Sequence, residues 1–186
     1  TEKNLRHCVN SLSMIFAPLE DDGLQRAIFA GGCFWGVEQQ LESLAGVDRA
    51  VSGYTGGTVA DPTYREVCEG NTGHAEAVEV WFDPHAISYE ELARRFFEIH
   101  DPTQGNRQGP DIGSQYRSAV FYFSAEQKTV LENLVSKLRQ NGYDVKTELA
   151  PAHRFYPAEE YHQDYYRKKG GTAYCHRRVP RFDDEQ

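Results

Sequence analysis

A cysteine that directly follows two glycines is the side chain best placed for chemistry in this sequence. Residues 25–36 read Gln-Arg-Ala-Ile-Phe-Ala-Gly-Gly-Cys-Phe-Trp-Gly, an apolar run typical of a strand that is broken by Gly31 and Gly32 just before Cys33. The following side chains recur at helical spacing, at Val37, Gln40, Leu41 and Leu44. We therefore predict Cys33 at a helix N-terminus, where free N–H groups and the helix dipole favour a nucleophilic thiolate. The alternative is a buried cysteine that acts as a small apolar residue.

A glutamate in a predicted strand is the candidate acid. Residues 74–82 alternate, so that Glu76 shares one face with Val78, Val80 and Phe82. A carboxyl group in register with core side chains is desolvated, and desolvation raises its pKa and keeps it protonated. The alternative is a glutamate at the end of the strand, exposed to solvent.

Composition limits the class of protein. The chain has 186 residues, which fits one sizeable domain, and a formal net charge of -8. Nucleic acid or an anionic membrane surface is not expected as a partner, because Lys and Arg are not concentrated in any patch beyond Arg177 and Arg178. No apolar run approaches the roughly 20 residues that span a bilayer, and residues 11–18 are too short and lack the charged leader of a signal peptide. A cytoplasmic location is expected.

The spacing of the cysteines points to working thiols and not to a metal site. The four cysteines are Cys8, Cys33, Cys68 and Cys175, with no Cys-x-x-Cys pair and no disulfide-dense pattern. This argues against a zinc module and against a small secreted scaffold, and it is typical of a reduced compartment. Cys68 is expected to be packed and unreactive.

Strands and helices alternate irregularly along the chain, which favours an α+β two-layer sandwich with a mixed, mainly antiparallel sheet and flanking helices of the ferredoxin-like kind. The predicted strands are Arg26–Ala30, Val47–Tyr54, His74–Phe82, Arg117–Phe123 and Val145–Leu149. The predicted helices are Cys33–Leu44, Tyr64–Glu69, one opened by a capping box at Ser88 and ending near His100, Lys128–Gln140 after a second box at Ser124, and Ala158–Lys168. We expect an N-terminal arm at 1–24, a catalytic domain at 25–168 and a C-terminal tail at 169–186.

Six motifs occur in order and carry a resemblance. They are Gly32-Cys-Phe-Trp-Gly36, Gly53-Tyr-Thr-Gly-Gly57, Tyr64-Arg-Glu-Val-Cys68, Gly73-His-Ala-Glu-Ala-Val78, Asp111-Ile-Gly-Ser-Gln-Tyr-Arg-Ser118 and Tyr161-His-Gln-Asp-Tyr165. From about Ile28 to Cys175 the chain resembles the type A peptide methionine sulfoxide reductases. These enzymes restore methionine from its sulfoxide.

The resemblance implies a role for the two candidate groups. Cys33 is similar to the family's nucleophile, which attacks the sulfoxide sulfur, and Glu76 to the acid that protonates the sulfoxide oxygen. A sulfoxide sulfur is a poor electrophile until its oxygen is protonated or strongly hydrogen-bonded, so this chemistry needs an acid facing the thiol. Tyr64 and Tyr116 match tyrosines that donate hydrogen bonds to the same oxygen.

The resemblance also implies a binding site for the rest of the substrate. Phe34 and Trp35 match the apolar wall that holds the substrate methyl group, although either aromatic could belong to the core alone. Asp111 is similar to a residue near the substrate backbone, or else it shapes its own turn. His162 and Tyr174 match positions beside the pocket, with supporting packing as the alternative.

A second thiol completes the implied cycle. Reduction leaves the nucleophile as a sulfenic acid, which must condense with another thiol to form a disulfide. Cys175 is the candidate, on a tail that follows Gly170 and Gly171. Many bacterial relatives carry two recycling cysteines in this region, whereas this chain carries one, which implies a Cys33–Cys175 disulfide presented directly to thioredoxin. The alternative for Cys175 is an exposed thiol without a role.

The expected function is therefore the thiol-dependent reduction of methionine S-sulfoxide, free or in oxidised proteins. No metal or other cofactor is expected, with reducing equivalents from thioredoxin or dithiothreitol. One alternative is a non-catalytic module that binds methionine sulfoxide. Another is a cysteine hydrolase, which would need His74 or His162 as a base close to Cys33.

Overall fold

A mixed sheet forms the centre of the protein, whose computed structural model describes residues 23–182. The strands are β1 (Gln25–Gly31), β2 (Val47–Thr55), β3 (Ala75–Phe82), β4 (Arg107–Gln108), β5 (Asp111–Ile112), β6 (Ser118–Tyr122), β7 (Glu148–Pro151) and β8 (Tyr156–Pro157). The helices are α1 (Phe34–Glu42), α2 (Tyr64–Cys68), α3 (Tyr89–Ile99), α4 (Ala125–Gln140) and α5 (Tyr165–Lys169), with 3₁₀ turns at Ser114–Tyr116 and Glu160–His162.

The strand order confirms the predicted α+β class. Six strands lie in the order β7-β6-β1-β3-β2-β8, and β4 and β5 form a separate short hairpin. Within the described residues, every pair is antiparallel except β6 with β7. The predicted sheet, mixed and mainly antiparallel, is therefore confirmed.

Helices cover one face of the sheet, and this face holds the main core. Alternate residues of β3, Val78, Val80 and Phe82, pack with apolar side chains of α1, α3 and α4. The other face is lined by small and aromatic residues such as Ala77 and Phe121, against the segment around residues 150–155. Because Glu76 is in register with Val78, its side chain lies on the helix-covered face.

Three local predictions are wrong. The helix predicted at 158–168 is interrupted, because Asp164 adopts a left-handed backbone with φ 54° and only Tyr165–Lys169 is α-helical. The last predicted strand lies later, at Glu148–Pro151. The predicted capping box at Ser88 forms. The one predicted at Ser124 forms only in part: the Ser124 side chain accepts from the Gln127 N–H, but the Gln127 Oε1 accepts from the N–H of Phe123 and not from that of Ser124.

The described part of the tail folds back onto α3. The Val179 N–H donates to the Glu98 carbonyl at 2.7 Å, and Phe182 is buried in the main core. Most of the predicted arm, including Cys8, lies outside the described residues. Between residues 23 and 182, no helix has the length and apolar character needed to cross a membrane.

Candidate active site

Cys33 stands at the start of α1, as predicted. β1 ends at Gly31, the chain turns at Gly32 with φ 94°, and Cys33 is the N-cap residue of the helix. A side chain on Gly32 would place its Cβ only 2.6 Å from the Cβ of Gln108, so the turn has room for glycine alone. The turn thereby fixes the position of the Cys33 thiol, which is half-buried.

The thiol is the stable form of Cys33 in this arrangement. Burial, followed by the negative charge of Glu76, raises the pKa of the Cys33 thiol to about 12. The backbone N–H groups of Trp35 and Gly36 lower the pKa but do not offset these effects. The prediction of a thiolate primed by the helix N-terminus is therefore wrong, because desolvation outweighs the few N–H groups at the end of a nine-residue helix.

Glu76 is the buried acid that the strand pattern predicts. Its side chain is 2 % exposed, and its Oε2 accepts a hydrogen bond from the N–H of Phe34 at 3.1 Å. Burial raises the pKa of the carboxyl to about 8, partly offset by the Phe34 N–H. The solvent-exposed alternative is wrong. At neutral pH the Glu76 carboxyl is therefore protonated, and it lies against the N–H of the residue that follows Cys33.

Tyr64 and Tyr116 are neutral hydrogen-bond donors near the acid. Burial is the largest cause that raises the pKa of each hydroxyl, and the charge of Glu76 raises both further. The Tyr64 hydroxyl also makes a hydrogen bond with Cys68. Cys68 itself is exposed, so the prediction that it is packed is wrong.

Trp35 is held between two aromatic residues beside the thiol. Its ring stacks on Tyr165 with centroids 3.7 Å apart and an interplanar angle of 5°. Its indole Nε1 donates to Nδ1 of His162 at 3.0 Å. Phe34 is 1 % exposed and packs against the ring of His162 at 5.1 Å. Phe34 is thus part of the core, whereas Trp35 stays half-buried at its edge.

His162 belongs to a network that the sequence does not reveal. Because its Nδ1 accepts from Trp35, its Nε2 carries the proton, and this atom lies 3.5 Å from Glu159 without a hydrogen bond. Glu159 in turn accepts from the Tyr54 hydroxyl at 3.0 Å and from the Tyr64 N–H at 2.9 Å. Tyr54 lies inside a recognised motif, but no sequence pattern indicates Glu159.

Asp111 connects the tail with the rest of the site. Its Oδ2 accepts from the Tyr174 hydroxyl at 3.1 Å and lies 4.0 Å from the Cys175 sulfur. The charge of Asp111 also contributes to the raised pKa of Cys33, so both thiols lie near this carboxylate. Tyr174 itself is exposed. The fold thus brings all ten predicted site residues into one region. They are Cys33, Phe34, Trp35, Tyr64, Glu76, Asp111, Tyr116, His162, Tyr174 and Cys175.

Alkylation of Cys33 by iodoacetamide is expected to accelerate about tenfold per pH unit from pH 7 to pH 10. The reactive thiolate fraction grows tenfold per unit well below the thiol pKa. Mass spectrometry of the Cys33 peptide measures the rate. In urea the same peptide should level off near pH 9, the ordinary thiol pKa. A plateau below pH 8 in the folded protein would contradict the buried, neutral thiol.

Three cysteines in the part of the chain that the structure describes carry free thiols. Cys33, Cys68 and Cys175 are all free. This part of the chain contains no cluster of three His, Cys, Asp or Glu side chains that could hold a metal ion. Nδ1 of His74 accepts from the Gly57 N–H and its Nε2 donates to the Val59 carbonyl, so both of its ring nitrogens are engaged away from Cys33.

Comparison with known proteins finds relatives over most of the chain. A family model described as peptide methionine sulfoxide reductase matches residues 25–186. The protein named "Peptide methionine sulfoxide reductase MsrA" from Acinetobacter baumannii strain AYE is 48% identical over 157 residues, which cover 84% of this chain and 91% of that protein. The crystal structure of Mxr1 from Saccharomyces cerevisiae in reduced form is similar with a TM-score of 0.79 and 34% identity, covering 86% of this chain and 94% of the other. The structure of Mxr1 in complex with Trx2 matches with a TM-score of 0.56 and 25% identity, over 81% and 90% of the two chains.

Proposed function

Because the chain belongs to the peptide methionine sulfoxide reductase family, we propose that it reduces methionine S-sulfoxide, free or in proteins, to methionine with Cys33 as the nucleophile. The observation that carries this proposal is the buried Glu76 carboxyl, which accepts a hydrogen bond from the N–H of Phe34, the residue directly after the nucleophile. Its burial raises the pKa of the carboxyl to about 8, which favours the protonated form at neutral pH. A sulfoxide requires both a sulfur nucleophile and an acid for its oxygen, and this pair supplies them.

The first step transfers oxygen from the substrate to Cys33. Glu76 gives its proton to the sulfoxide oxygen while the Cys33 sulfur attacks the sulfoxide sulfur, and the proton of the thiol replaces the one that Glu76 gave. The new bond between the two sulfur atoms and the sulfur–oxygen bond of the substrate then break, while the oxygen with its proton forms a bond to the Cys33 sulfur and leaves Cys33 as a sulfenic acid. One thiol and one sulfoxide thus give one sulfenic acid and one methionine. A thiol with a pKa near 12 becomes competent in this scheme because its proton leaves during the reaction.

The neighbouring side chains orient the sulfoxide. The protonated hydroxyls of Tyr64 and Tyr116 donate to the sulfoxide oxygen and stabilise its developing charge, as an oxyanion hole does. Trp35 presents an apolar surface for the substrate methyl group, and Phe34 supports it from the core. His162 fixes the indole through the hydrogen bond to Nε1.

The half-buried Asp111 and the exposed Tyr174 complete the binding site. The carboxylate of Asp111 is available to a backbone N–H of the substrate, and the exposed Tyr174 lies beside it. A substrate N–H bound at Asp111 would therefore lie next to the hydrogen bond that the Tyr174 hydroxyl donates to the same carboxylate.

The second and third steps restore the thiol. The Cys175 sulfur attacks the sulfur of the sulfenic acid, a Cys33–Cys175 disulfide forms, and the hydroxyl leaves as water with the proton of Cys175. Thioredoxin then reduces the disulfide by dithiol exchange, and dithiothreitol can take its place in the assay. The known complex of a similar protein, Mxr1, with Trx2 supports thioredoxin as the reductant.

The proposed reaction needs no metal or organic cofactor. Its two electrons come from Cys33 and Cys175 and are returned by thioredoxin, so thiols alone balance the cycle. This chemistry requires a compartment in which thioredoxin stays reduced, which supports the cytoplasm as the location.

Cys175→Ser is expected to release one equivalent of methionine per protein and then to stop when thioredoxin is the reductant. The first step needs only Cys33 and Glu76, whereas exchange with thioredoxin needs the disulfide. Quenched samples analysed for methionine and for free thiols measure both steps. Continued turnover of this variant with thioredoxin would move the resolving role to Cys8 or Cys68.

A single-turnover assay with the two separated sulfoxide epimers tests the function as a whole. We expect one equivalent of methionine from the S epimer and none from the R epimer. A protein that only binds methionine sulfoxide would retain the substrate unchanged, so saturable binding without methionine release would overturn the proposal in favour of a binding module.

A further inference from the structure

The histidine directly after the resolving cysteine is buried against the turn of the nucleophile. His176 is 2 % exposed, and its Nε2 lies 2.8 Å from the carbonyl oxygen of Gly31. A carbonyl can only accept, so Nε2 carries the ring proton and donates it. One hydrogen bond thus joins the residue after Cys175 to the residue two positions before Cys33.

The lack of a side chain at Gly36 leaves the room that this ring occupies. A Cβ atom on Gly36, in the first turn of α1, would overlap Nδ1 of His176 and would lie 3.0 Å from the Cβ of Ala173. A Cβ on Gly32 would lie 3.6 Å from Nε2 of His176. The histidine ring therefore fills a space between the Gly31–Gly32 turn and the first turn of α1. Cys33 lies between these two segments in the chain.

Cys175 is held from both sides. On its N-terminal side, the Tyr174 hydroxyl donates a hydrogen bond to Asp111. This part of the tail follows Gly170 and Gly171, whose φ angles are 78° and 101°. The hydrogen bond between Tyr174 and Asp111 is exposed to solvent, whereas the hydrogen bond that His176 donates to Gly31 is buried. Of the two contacts, the one that His176 makes is therefore the one shielded from solvent.

We propose that His176 is a positioning residue for the resolving step: by fastening the chain after Cys175 to the Gly31–Cys33 turn, it keeps the second thiol within reach of the Cys33 sulfenic acid. This rests on the proposed function. In the step itself the Cys175 sulfur forms a bond with the Cys33 sulfur, and the hydroxyl of the sulfenic acid leaves as water with the thiol proton of Cys175. His176 exchanges no proton and no electron. It raises the effective concentration of the Cys175 thiol near the Cys33 sulfenic acid.

A matched pair of variants separates the hydrogen bond from the filled space. Leucine at position 176 fills the space without a donor, and glutamine offers an amide N–H to the Gly31 carbonyl. In a single turnover with methionine S-sulfoxide, we expect His176→Leu to slow disulfide formation by about tenfold or more, while methionine release stays within about twofold of the wild type. His176→Gln should recover most of the rate of disulfide formation.

The measurement follows the two steps in the same sample. Methionine is quantified after acid quench, free thiols are counted over the same time course, and dimedone traps the sulfenic acid as it accumulates. His176→Leu should show a dimedone adduct on Cys33 that the wild type lacks. Equal slowing of both steps without recovery in His176→Gln would mean a purely structural role and would overturn the proposal.

Gly36→Ala disturbs the same contact from the other side. Alanine is a better helix former than glycine, so the change by itself favours α1. Its methyl group, however, displaces the ring of His176, so we expect slower disulfide formation with a lasting sulfenic acid, as in His176→Leu. An unchanged rate of disulfide formation in this variant would contradict the anchoring role.

Arg178→Gln is the control within the tail. Arg178 pairs with Glu98 at 2.7 Å, two residues beyond His176, and touches no part of the site. We expect disulfide formation within about twofold of the wild type. Slowing equal to that of His176→Leu would assign the effect to docking of the whole tail and would overturn the specific role of His176. A wild-type protein that releases no methionine would instead refute the proposed function.

Discussion

Cys33→Ser is expected to abolish the reduction of methionine sulfoxide, lowering methionine release by at least about 10⁴-fold, the order seen when other enzymes lose their nucleophile. A serine hydroxyl is less nucleophilic than a thiol and cannot become a sulfenic acid, so the oxygen of the substrate has no acceptor. Methionine release in a single turnover, with and without dithiothreitol, measures the effect.

Cys68→Ser is the matched control for this loss. Cys68 is exposed at the end of α2, and serine keeps a hydroxyl that can bond to Tyr64. Cys68→Ser should therefore retain methionine release. Substantial activity in Cys33→Ser would mean that another group accepts the oxygen, and the proposed mechanism would be lost.

Glu76→Gln is expected to slow the first step by about 10² to 10⁴-fold at pH 7, the usual contribution of a general acid. The amide keeps the shape of the side chain and can accept the Phe34 N–H, but it has no acidic proton for the sulfoxide oxygen. Above pH 8 the wild-type carboxyl ionises and loses the same function. The ratio of wild-type to variant rates should therefore be largest below pH 8 and shrink above it.

Single-turnover rates from pH 6 to pH 10 test this ratio. The variant also lacks the negative charge that raises the pKa of Cys33, so its Cys33 should be alkylated faster than that of the wild type above pH 8. A rate ratio that stays constant across the whole range would remove Glu76 as the acid, even if the variant were slow.

Stability measurements provide a check on Glu76 that does not depend on catalysis. The folded carboxyl keeps its proton until about pH 8, whereas the unfolded chain loses it near the ordinary value of 4.5. Between these values the folded state binds more protons, so the wild-type free energy of unfolding should fall as pH rises, by at most about 1.4 kcal/mol per pH unit from this group. Urea titrations of Glu76→Gln should show a smaller slope, since Glu38, whose pKa burial raises to about 7, still contributes. An identical slope in both proteins would contradict the buried, protonated Glu76 carboxyl.

Local sequence patterns determined the parts of the fold that depend on local physics. Alternation in β3 placed Glu76 on a core-facing side of a strand, and the two glycines before Cys33 predicted a helix start. The capping box at Ser88 was also correct, because it involves residues only three positions apart. The helix predicted after residue 157 failed where a single left-handed residue, Asp164, interrupts an otherwise regular pattern.

The chemical state of the Cys33 thiol depended on packing that no local pattern describes. The helix N-terminus alone predicted a lowered thiol pKa, but burial and the charge of Glu76, which is 43 positions away, raise it to about 12. Electrostatic effects of this kind are set by distances and by exclusion of water across the whole site. The same holds for Glu159, which gathers Tyr54, Tyr64 and His162 from distant segments.

The sequence by itself determined the class of chemistry: a cysteine after two glycines, a glutamate on a core face and a second cysteine after two further glycines. Only the tertiary structure decided how these groups relate. It placed the Glu76 carboxyl within hydrogen-bond distance of the N–H of Phe34, and it placed the ring of His176, directly after Cys175, against the carbonyl of Gly31. The physical reason is that strand and helix periodicity arises between near neighbours in the chain. Burial and hydrogen bonds between β1, β3 and the tail arise only once segments far apart in sequence have packed together.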